Sequence, residues 1–270
     1  MSLVSVEKAS FAYKKGVCAL NNISFTVETG EHIALIGPNG SGKTTLFNLL
    51  AGFTRAKTGS ITFAGVDIQA YSPPELAKHL ALVPQRVYLN FPYTCLETVL
   101  MGLHPYHRHI QTESAQALQS AQTLMEQTEV WHLAAQFVTE ISGGELQRVL
   151  LARALLQVLP QGLASTDPPC HRVLLLDEAF SSLDIAARIT MMKLLNTLRA
   201  VYGLTIIGIH HDIPIAFGFT QRILALSHGS LVADGKPEVI GTEAFFAQVF
   251  SVHVEIIPGK GFLFVDTLTA

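Results

Sequence analysis

The sequence predicts an α/β protein with a parallel central sheet and a helical segment inserted in its middle. Residues 172–177 and 205–209 are continuous apolar runs of the kind that is buried on both faces of a sheet, and a helix-like segment at residues 185–200 separates them. Strand, helix and strand in this order imply a crossover between parallel strands. Residues 94–157 are largely helical in pattern, so a helical insert is predicted to interrupt the α/β core.

The N-terminal region is predicted to form an antiparallel β subdomain. Residues 4–6 and 23–27 alternate between apolar and polar side chains, and a turn at Glu28, Thr29 and Gly30 separates them from the apolar run at residues 32–36. We expect one domain, with the α/β core and β subdomain at residues 1–85 and 160–240, the helical subdomain at residues 86–159 and a C-terminal extension at residues 241–270.

A glycine-rich loop follows the third of these strands. The stretch GPNGSGKTT comes after the apolar residues 33–36 and before the periodic Leu46, Leu49 and Leu50. Its spacing, G-x-x-x-x-G-K-[ST], would arise by chance in roughly one chain per hundred of this length. Such a loop brings backbone N–H groups close to phosphate oxygens, and the helix adds the positive end of its dipole. The predicted nucleotide-binding residues are Gly37, Asn39, Gly40, Ser41, Gly42, Lys43, Thr44 and Thr45.

Reactive side chains are predicted at the loop and at the end of a buried strand. Lys43 is expected to reach the β- and γ-phosphates, and the hydroxyl of Thr44 is expected to be a ligand of Mg²⁺. Asp177 and Glu178 end an apolar run, where Asp177 can hold Mg²⁺ and Glu178 can activate a water that attacks the γ-phosphate. An acidic pair that caps a loop is the alternative. Together with the loop, the pair predicts hydrolysis as well as binding.

A second anion site is predicted at the start of a later helix. Ser142 and Glu145 have the spacing of a capping box before the helical pattern of residues 146–156. Gly143 and Gly144 lie between them, so that backbone N–H groups stay available at a helix N-terminus.

Composition excludes several functional classes. The net charge is −3 and no run of Lys and Arg occurs, so nucleic acid is not an expected partner. Three widely spaced cysteines fit a reducing compartment, and no signal peptide or 18-residue apolar stretch is visible, so we expect a cytosolic chain. Only 14% of residues are charged, against about 25% in ordinary domains. This deficit predicts a surface covered by partners, although a compact core would have the same effect.

Residues 141–149 resemble the signature motif of ABC-transporter ATPase subunits. The phosphate-binding loop lies before this motif and Asp177 and Glu178 lie after it, in the order of that family, and the resemblance covers essentially the whole chain. It implies the fold of a P-loop NTPase with a RecA-like parallel-sheet core, and it implies ATP and Mg²⁺ as ligands. The motif has Ile141 and Glu145 where Leu and Gln are commoner, and Ala179 stands where a proline usually follows the catalytic Glu.

The resemblance implies roles for four further residues. Tyr13 is expected to stack on adenine, with an ordinary strand tyrosine as the alternative. Gln85 is expected to contact Mg²⁺ or its water and to sense the membrane partner. Asp184 belongs to a loop that communicates across the dimer. His211 is expected to contact the γ-phosphate, because the family places this histidine directly before an aspartate, although the adjacent His210 is an alternative.

The resemblance also implies the partners. Ser142, Gly143 and Gly144 are expected to contact nucleotide held by a second copy of the chain, so the working unit is expected to be a homodimer. Two membrane permease subunits and, indirectly, an external binding protein complete the assembly, which places the chain at the cytoplasmic face of the inner membrane.

Three regions are similar to those of importers of iron-siderophores, haem and cobalamin: residues 98–107, a Pro-rich insert before Arg172, and a C-terminal region made of residues 245–250, 252–257 and 261–265. A cassette for another substrate, an exporter cassette and a soluble ABC ATPase are the alternatives.

Overall fold

The computed structural model describes residues 2–14, 16–85, 91–106, 114–164, 171–257 and 261–267. The chain forms two compact units, one made of Met1–Ile68 with Ile207–Ala270 and the other made of Gln69–Ile206. The subdomain boundaries expected from the sequence stay predictions.

Twelve strands lie in the described residues: β1 (Val4–Lys14), β2 (Val17–Val27), β3 (His32–Ile36), β4 (Thr58–Phe63), β5 (Val66–Asp67), β6 (Leu80–Val83), β7 (Val173–Asp177), β8 (Thr205–Ile209), β9 (Arg222–Ser227), β10 (Ser230–Gly235), β11 (Val252–Ile257) and β12 (Gly261–Thr267).

Nine α-helices lie in the same part of the chain: α1 (Lys43–Leu50), α2 (Pro73–Ala77), α3 (Cys95–Leu100), α4 (Ala115–Gln127), α5 (Gly143–Val158), α6 (Ile185–Tyr202), α7 (Ile213–Phe219), α8 (Pro237–Ile240) and α9 (Glu243–Phe250).

The first unit contains an antiparallel sheet and a mostly buried one. The antiparallel sheet has the order β2-β1-β4-β5, which confirms the antiparallel β subdomain, although β1 is longer than the sequence suggested. In the buried sheet β3 is parallel to β9 and β9 is antiparallel to β10, and β8 neighbours β3. All five residues of β3 are buried, as expected for a strand covered on both faces.

The second unit contains the helices predicted for the middle of the chain. Its strands β6 and β7 are parallel, with Leu80 opposite Val173, so the predicted parallel core is confirmed. Helix α6 connects β7 to β8. Asp184 caps its N-terminus, where the carboxylate accepts a hydrogen bond from the N–H of Ala187 at 2.8 Å, and Gly203 caps its C-terminus in the left-handed region.

The C-terminal extension packs into the first unit through aromatic side chains. Phe246 of α9 is fully buried, and its ring centre lies 5.7 Å from that of Phe217 and 5.3 Å from that of Phe245. The cluster also includes Ala34 and Ile36 of β3. Helix α9 therefore supports the strand that leads into the glycine-rich loop.

In the described parts of the chain, every helix is too short or too polar to span a membrane. The last residue of the segment 98–107 and residues 165–170 of the Pro-rich insert lie outside the described residues.

Replacement of Phe246 by alanine should lower the free energy of unfolding by about 3–5 kcal/mol, because it removes a fully buried ring and leaves a cavity. Chemical denaturation followed by circular dichroism measures this change. Phe53 is 68% exposed and serves as the control, and Phe53→Ala should change the stability by less than about 1 kcal/mol. Equal losses in the two variants would contradict the packing role of α9.

Candidate active site

The glycine-rich loop lies between β3 and α1 in the first unit and encloses an ammonium group. Lys43 is the first residue of α1 and is only 7% exposed. Its Nζ donates hydrogen bonds to the carbonyls of Gly37 at 2.9 Å and Pro38 at 3.0 Å. Two carbonyls therefore fix the positive charge inside the loop, where it can meet a phosphate. The neighbouring Thr44 is exposed, so its hydroxyl is accessible to a ligand.

Two glycines of the loop are required by the surrounding backbone. Gly37 has φ +146°, and a Cβ there would clash with the carbonyl oxygen of Leu226. Gly42 has φ +104°, and a Cβ there would lie 2.5 Å from the carbonyl oxygen of Ala19. By contrast, nothing lies within 4 Å of a Cβ built at Gly40, which has φ +78°. The sequence pattern explains the loop glycines by the access that they give a ligand to the backbone. Of these three, only Gly40, which has free space around it, agrees with that explanation.

The turn between β9 and β10 braces the same loop. The N–H of Gly229 donates to the carbonyl of Ser41 at 3.1 Å, and the carbonyl of Gly229 accepts from the N–H of Asn21 at 2.7 Å. Gly229 and Asn21 were not among the predicted site residues. A two-residue turn with glycine at a positive φ is visible in the sequence, but its contact with a loop about 190 positions earlier is not.

A cleft of about 260 Å³ lies beside the loop. Asn39 and Gly40 line it from the loop, and His228 and the end of α9 at Phe250 line it from the C-terminal part of the unit. The C-terminal extension thus reaches the neighbourhood of the loop, which the sequence did not predict.

Tyr13 belongs to β1, and its side chain approaches the first turn of α1. Its hydroxyl is 3.1 Å from the Oγ1 of Thr45, and its ring packs edge-on against Phe11 with centres 5.0 Å apart. The side chain is 62% exposed, so a flat ring is available for stacking close to the loop. This position supports the predicted contact with adenine, which stays a prediction.

The second unit brings together two predicted catalytic residues. Asp177 is the last residue of β7, and Glu178 follows it with φ +51°. This left-handed conformation is unusual for a residue with a side chain and is often found at functional sites. The amide Nε2 of Gln85 donates a hydrogen bond to Oε2 of Glu178. Residues 93 positions apart in the sequence therefore meet at the carboxylate expected to act as the base.

The predicted capping box is present at the start of α5. The Oγ of Ser142 accepts from the N–H of Glu145 at 3.3 Å, and Oε2 of Glu145 accepts from the N–H of Ser142 at 2.8 Å. Hydrogen bonds from the side chain and backbone of Ser142 lower the pKa of Glu145, so this carboxylate stays ionised. Gly143 is exposed as the first helical residue, where its N–H has no partner within the helix.

The two adjacent histidines after β8 have different environments. His210 is 9% exposed, and its N–H donates to the carbonyl of Leu35 at 3.3 Å. Burial lowers the pKa of His210 to about 3, and the imidazoles of His32 and His211 add to the shift. His211 is exposed and precedes Asp212, the N-cap of α7. An exposed ring can reach a phosphate and a buried neutral ring cannot, so the geometry supports His211 as the candidate.

The predicted residues are divided between the two units. Tyr13, the glycine-rich loop and His211 lie in the first, while Gln85, Ser142–Gly144, Asp177, Glu178 and Asp184 lie in the second. The hydrogen bonds described above join Tyr13 to Thr45 and Gln85 to Glu178. A strand, a phosphate-binding loop and a helix beside a parallel sheet define the class: the chain is a P-loop NTPase.

Comparison with known proteins gives the family. A model of the ABC transporter family matches residues 20–181, and the chain belongs to this family. It is an ATP-binding, ATP-hydrolysing cassette of the kind coupled to transport.

Two curated relatives and two solved structures are similar over most of the chain. An uncharacterized ABC transporter ATP-binding protein of Bacillus subtilis, YvrA, is 37% identical over 87% of this chain, which spans 51% of that protein. The hemin import ATP-binding protein HmuV of Myxococcus xanthus is 34% identical, with 90% of this chain and 88% of that protein covered.

Among solved structures, a metal-chelate type ABC transporter in an inward-facing conformation has a TM-score of 0.78 at 25% identity, with 98% of each chain covered. A dimeric ATP-binding cassette, MJ0796, bound to ADP and Pi has a TM-score of 0.74 at 27% identity, with 87% of this chain and 98% of that chain covered.

Replacement of Gly37 by alanine should weaken ATP binding at least tenfold, because the new Cβ meets the carbonyl of Leu226 and deforms the loop. A fluorescent ATP analogue measures the affinity. Gly30 also has a positive φ, +77°, but no atom lies within 4 Å of a Cβ built there. Gly30→Ala therefore controls for backbone strain alone, and a similar loss of affinity in both variants would contradict the clash.

Proposed function

We propose that this chain is the ATP-hydrolysing subunit of an importer that takes up haem or another iron chelate. The proposal for hydrolysis rests on Glu178, which follows β7 in a left-handed conformation and accepts a hydrogen bond from Gln85. The proposal for the cargo rests on the similarity to HmuV, a hemin import ATP-binding protein, and to a metal-chelate type transporter. Cobalamin, another metal ion and an exported substrate are the alternatives.

Glu178 acts as the general base in this proposal. Its carboxylate takes a proton from the water that attacks the γ-phosphate, and the Gln85 amide orients it. Lys43 and the N–H groups of the loop stabilise charge on the phosphates, and His211 contacts the γ-phosphate. The strained backbone at Glu178 fixes the direction of its side chain before ATP arrives.

Mg²⁺ is the proposed metal. The candidate ligands Thr44, Gln85 and Asp177 supply hydroxyl, amide and carboxylate oxygens, the ligand type that Mg²⁺ prefers. When bound, the ion neutralises charge on the phosphate oxygens during transfer.

A homodimer is the proposed working unit. Ser142, Gly143 and Gly144 lie at the N-terminus of α5, and the N–H of Gly143 has no intrahelical partner and can meet the nucleotide held by the second copy. Asp184 is exposed at the start of α6 and is placed to contact that copy. The dimeric arrangement of the MJ0796 cassette supports this assembly.

The second unit exposes an aromatic surface that we assign to a membrane permease. Phe91, Tyr93 and Phe137 are 67%, 40% and 40% exposed. The rings of Phe91 and Tyr93 lie 6.2 Å apart, and the N–H of Val138 donates to the carbonyl of Tyr93 at 2.9 Å, which keeps Phe137 beside them. Exposed aromatic clusters usually mark interaction sites. A permease held here places the chain peripherally at the cytoplasmic face of the membrane, with an external binding protein as the indirect partner.

Glu178→Gln should keep the ATP affinity within about twofold, lower turnover at least 10²-fold and trap an ATP-bound dimer, because the amide cannot accept a proton from water. Nucleotide binding, phosphate release and analytical ultracentrifugation measure the three quantities. Glu140→Gln is the matched control, since Glu140 is an exposed glutamate that has no proposed role in hydrolysis. Undiminished turnover in Glu178→Gln would falsify the assignment of the base.

Co-expression with candidate permeases should yield a complex whose ATPase is stimulated severalfold by binding protein loaded with haem or a ferric chelate. Proteoliposomes that hold the complex measure ATP hydrolysis and uptake together, with cobalamin-loaded and empty binding protein as controls. Stimulation by cobalamin alone would assign the cargo to the alternative. Failure to purify with any permease would favour a soluble ABC ATPase.

A further inference from the structure

The side chain of Gln147 connects two segments that are both proposed to face the second copy of the chain. Gln147 lies in α5, close after Ser142, Gly143 and Gly144, and is only 7% exposed. Its Oε1 accepts hydrogen bonds from the hydroxyl of Ser182 at 2.7 Å and from the N–H of Ser182 at 3.3 Å. Ser182 belongs to the loop of residues 181–184, named here the 181–184 loop.

The same two segments also approach each other closely at Gly143 and Gly144. A Cβ built at Gly144 would lie 3.1 Å from Cδ2 of Leu183 and 3.3 Å from the carbonyl oxygen of Ser182. One built at Gly143 would lie 3.8 Å from Oγ of Ser182. The start of α5 thus lies close to the 181–184 loop, and the spacing leaves little room for a side chain at Gly144.

Other residues fix the end of the 181–184 loop. Nε and Nη2 of Arg188 donate to the carbonyl of Leu183 at 3.2 and 2.8 Å. Oδ1 of Asp184 accepts from the N–H of Ala187 at 2.8 Å, which ties the loop to α6. Gln147 therefore holds the middle of a loop whose end is anchored elsewhere.

We propose that Gln147 is a positioning residue that makes the start of α5 and the 181–184 loop move as one contact surface for the second copy. The proposal rests on the homodimer proposed above. Loss of the amide oxygen leaves the Ser182 N–H without this acceptor in a partly buried site, where an unpaired donor is costly, so the loop shifts to find another partner. Ser142 and Asp184 would then no longer meet the second copy at the same time.

The test compares two glutamines of the same helix in the Glu178→Gln background. In Gln147→Leu the side chain keeps its approximate size and loses both hydrogen bonds to Ser182. Gln157 is the matched control, because its Nε2 donates to the carbonyls of Ala77 at 2.8 Å and Leu80 at 3.0 Å, far along α5 from the signature residues. Gln157→Leu also loses two hydrogen bonds but leaves the 181–184 loop intact.

We expect Gln147→Leu to raise the dissociation constant of the ATP-bound dimer about tenfold, the size of an ordinary coupling between sites, while the ATP affinity of the monomer changes less than about twofold. Gln157→Leu should leave both quantities within about twofold of the parent. Sedimentation at saturating ATP measures dimerisation, and a fluorescent ATP analogue at low protein concentration measures monomer affinity. Dimerisation of Gln147→Leu at the level of the Gln157→Leu control overturns the proposal.

Ser182→Ala removes the hydroxyl that donates to Gln147, and it lies in an exposed loop. It is the alternative test if Gln147→Leu does not fold. It should weaken dimerisation about threefold or more, and the double variant should be no weaker than Gln147→Leu alone, because both changes remove one interaction. Unchanged dimerisation in Ser182→Ala, or additive losses in the double variant, contradicts the proposal. If the parent Glu178→Gln does not dimerise with ATP, the homodimer itself is wrong and the role of Gln147 falls with it.

Discussion

The close approach of three backbone segments around the glycine-rich loop is the constraint on which the nucleotide site depends. The carbonyls of Leu226 and Ala19 lie where side chains at Gly37 and Gly42 would stand, and the N–H of Gly229 binds the carbonyl of Ser41. The loop is therefore shaped from outside by β2, by β9 and by the β9–β10 turn. A loop shaped in this way loses little conformational entropy when a triphosphate binds, so more of the interaction energy becomes affinity.

Local patterns explain which features could be predicted from the sequence. The apolar run of β7, the glycine-rich loop and the Ser142 capping box each depend on residues within a few positions of one another, and the structure has all three. The contact of Gln85 with Glu178 and that of Ser41 with Gly229 join residues that lie far apart in the sequence. A periodic pattern of apolar residues cannot predict such a contact, because the contact depends on how strands, helices and loops pack together.

The glycines of the phosphate-binding loop show the same limit of prediction from local sequence. The sequence attributes all the loop glycines to the approach of a phosphate, yet that explanation fits only Gly40, where the space around a Cβ is open. Gly37 and Gly42 are fixed by the fold itself. A substitution at either of these two positions therefore acts on loop shape before it acts on any ligand, whereas one at Gly40 acts through backbone strain and contact with the ligand.

Burial distinguishes the roles of the adjacent His210 and His211, which the sequence left as alternatives for the contact with the γ-phosphate. Burial, with a smaller effect of His32 and His211, lowers the pKa of His210 to about 3, so its ring is neutral near pH 7. The unfolded chain binds a proton at this position near pH 6.5, so the stability contributed by the neutral ring is complete above that pH and declines as the pH falls below it. The backbone N–H of His210 donates to the carbonyl of Leu35, two residues before Gly37, so this residue lies next to the strand that leads into the loop. The buried ring of His210 is thus part of the protein interior, and the exposed His211 is the imidazole that can face a phosphate.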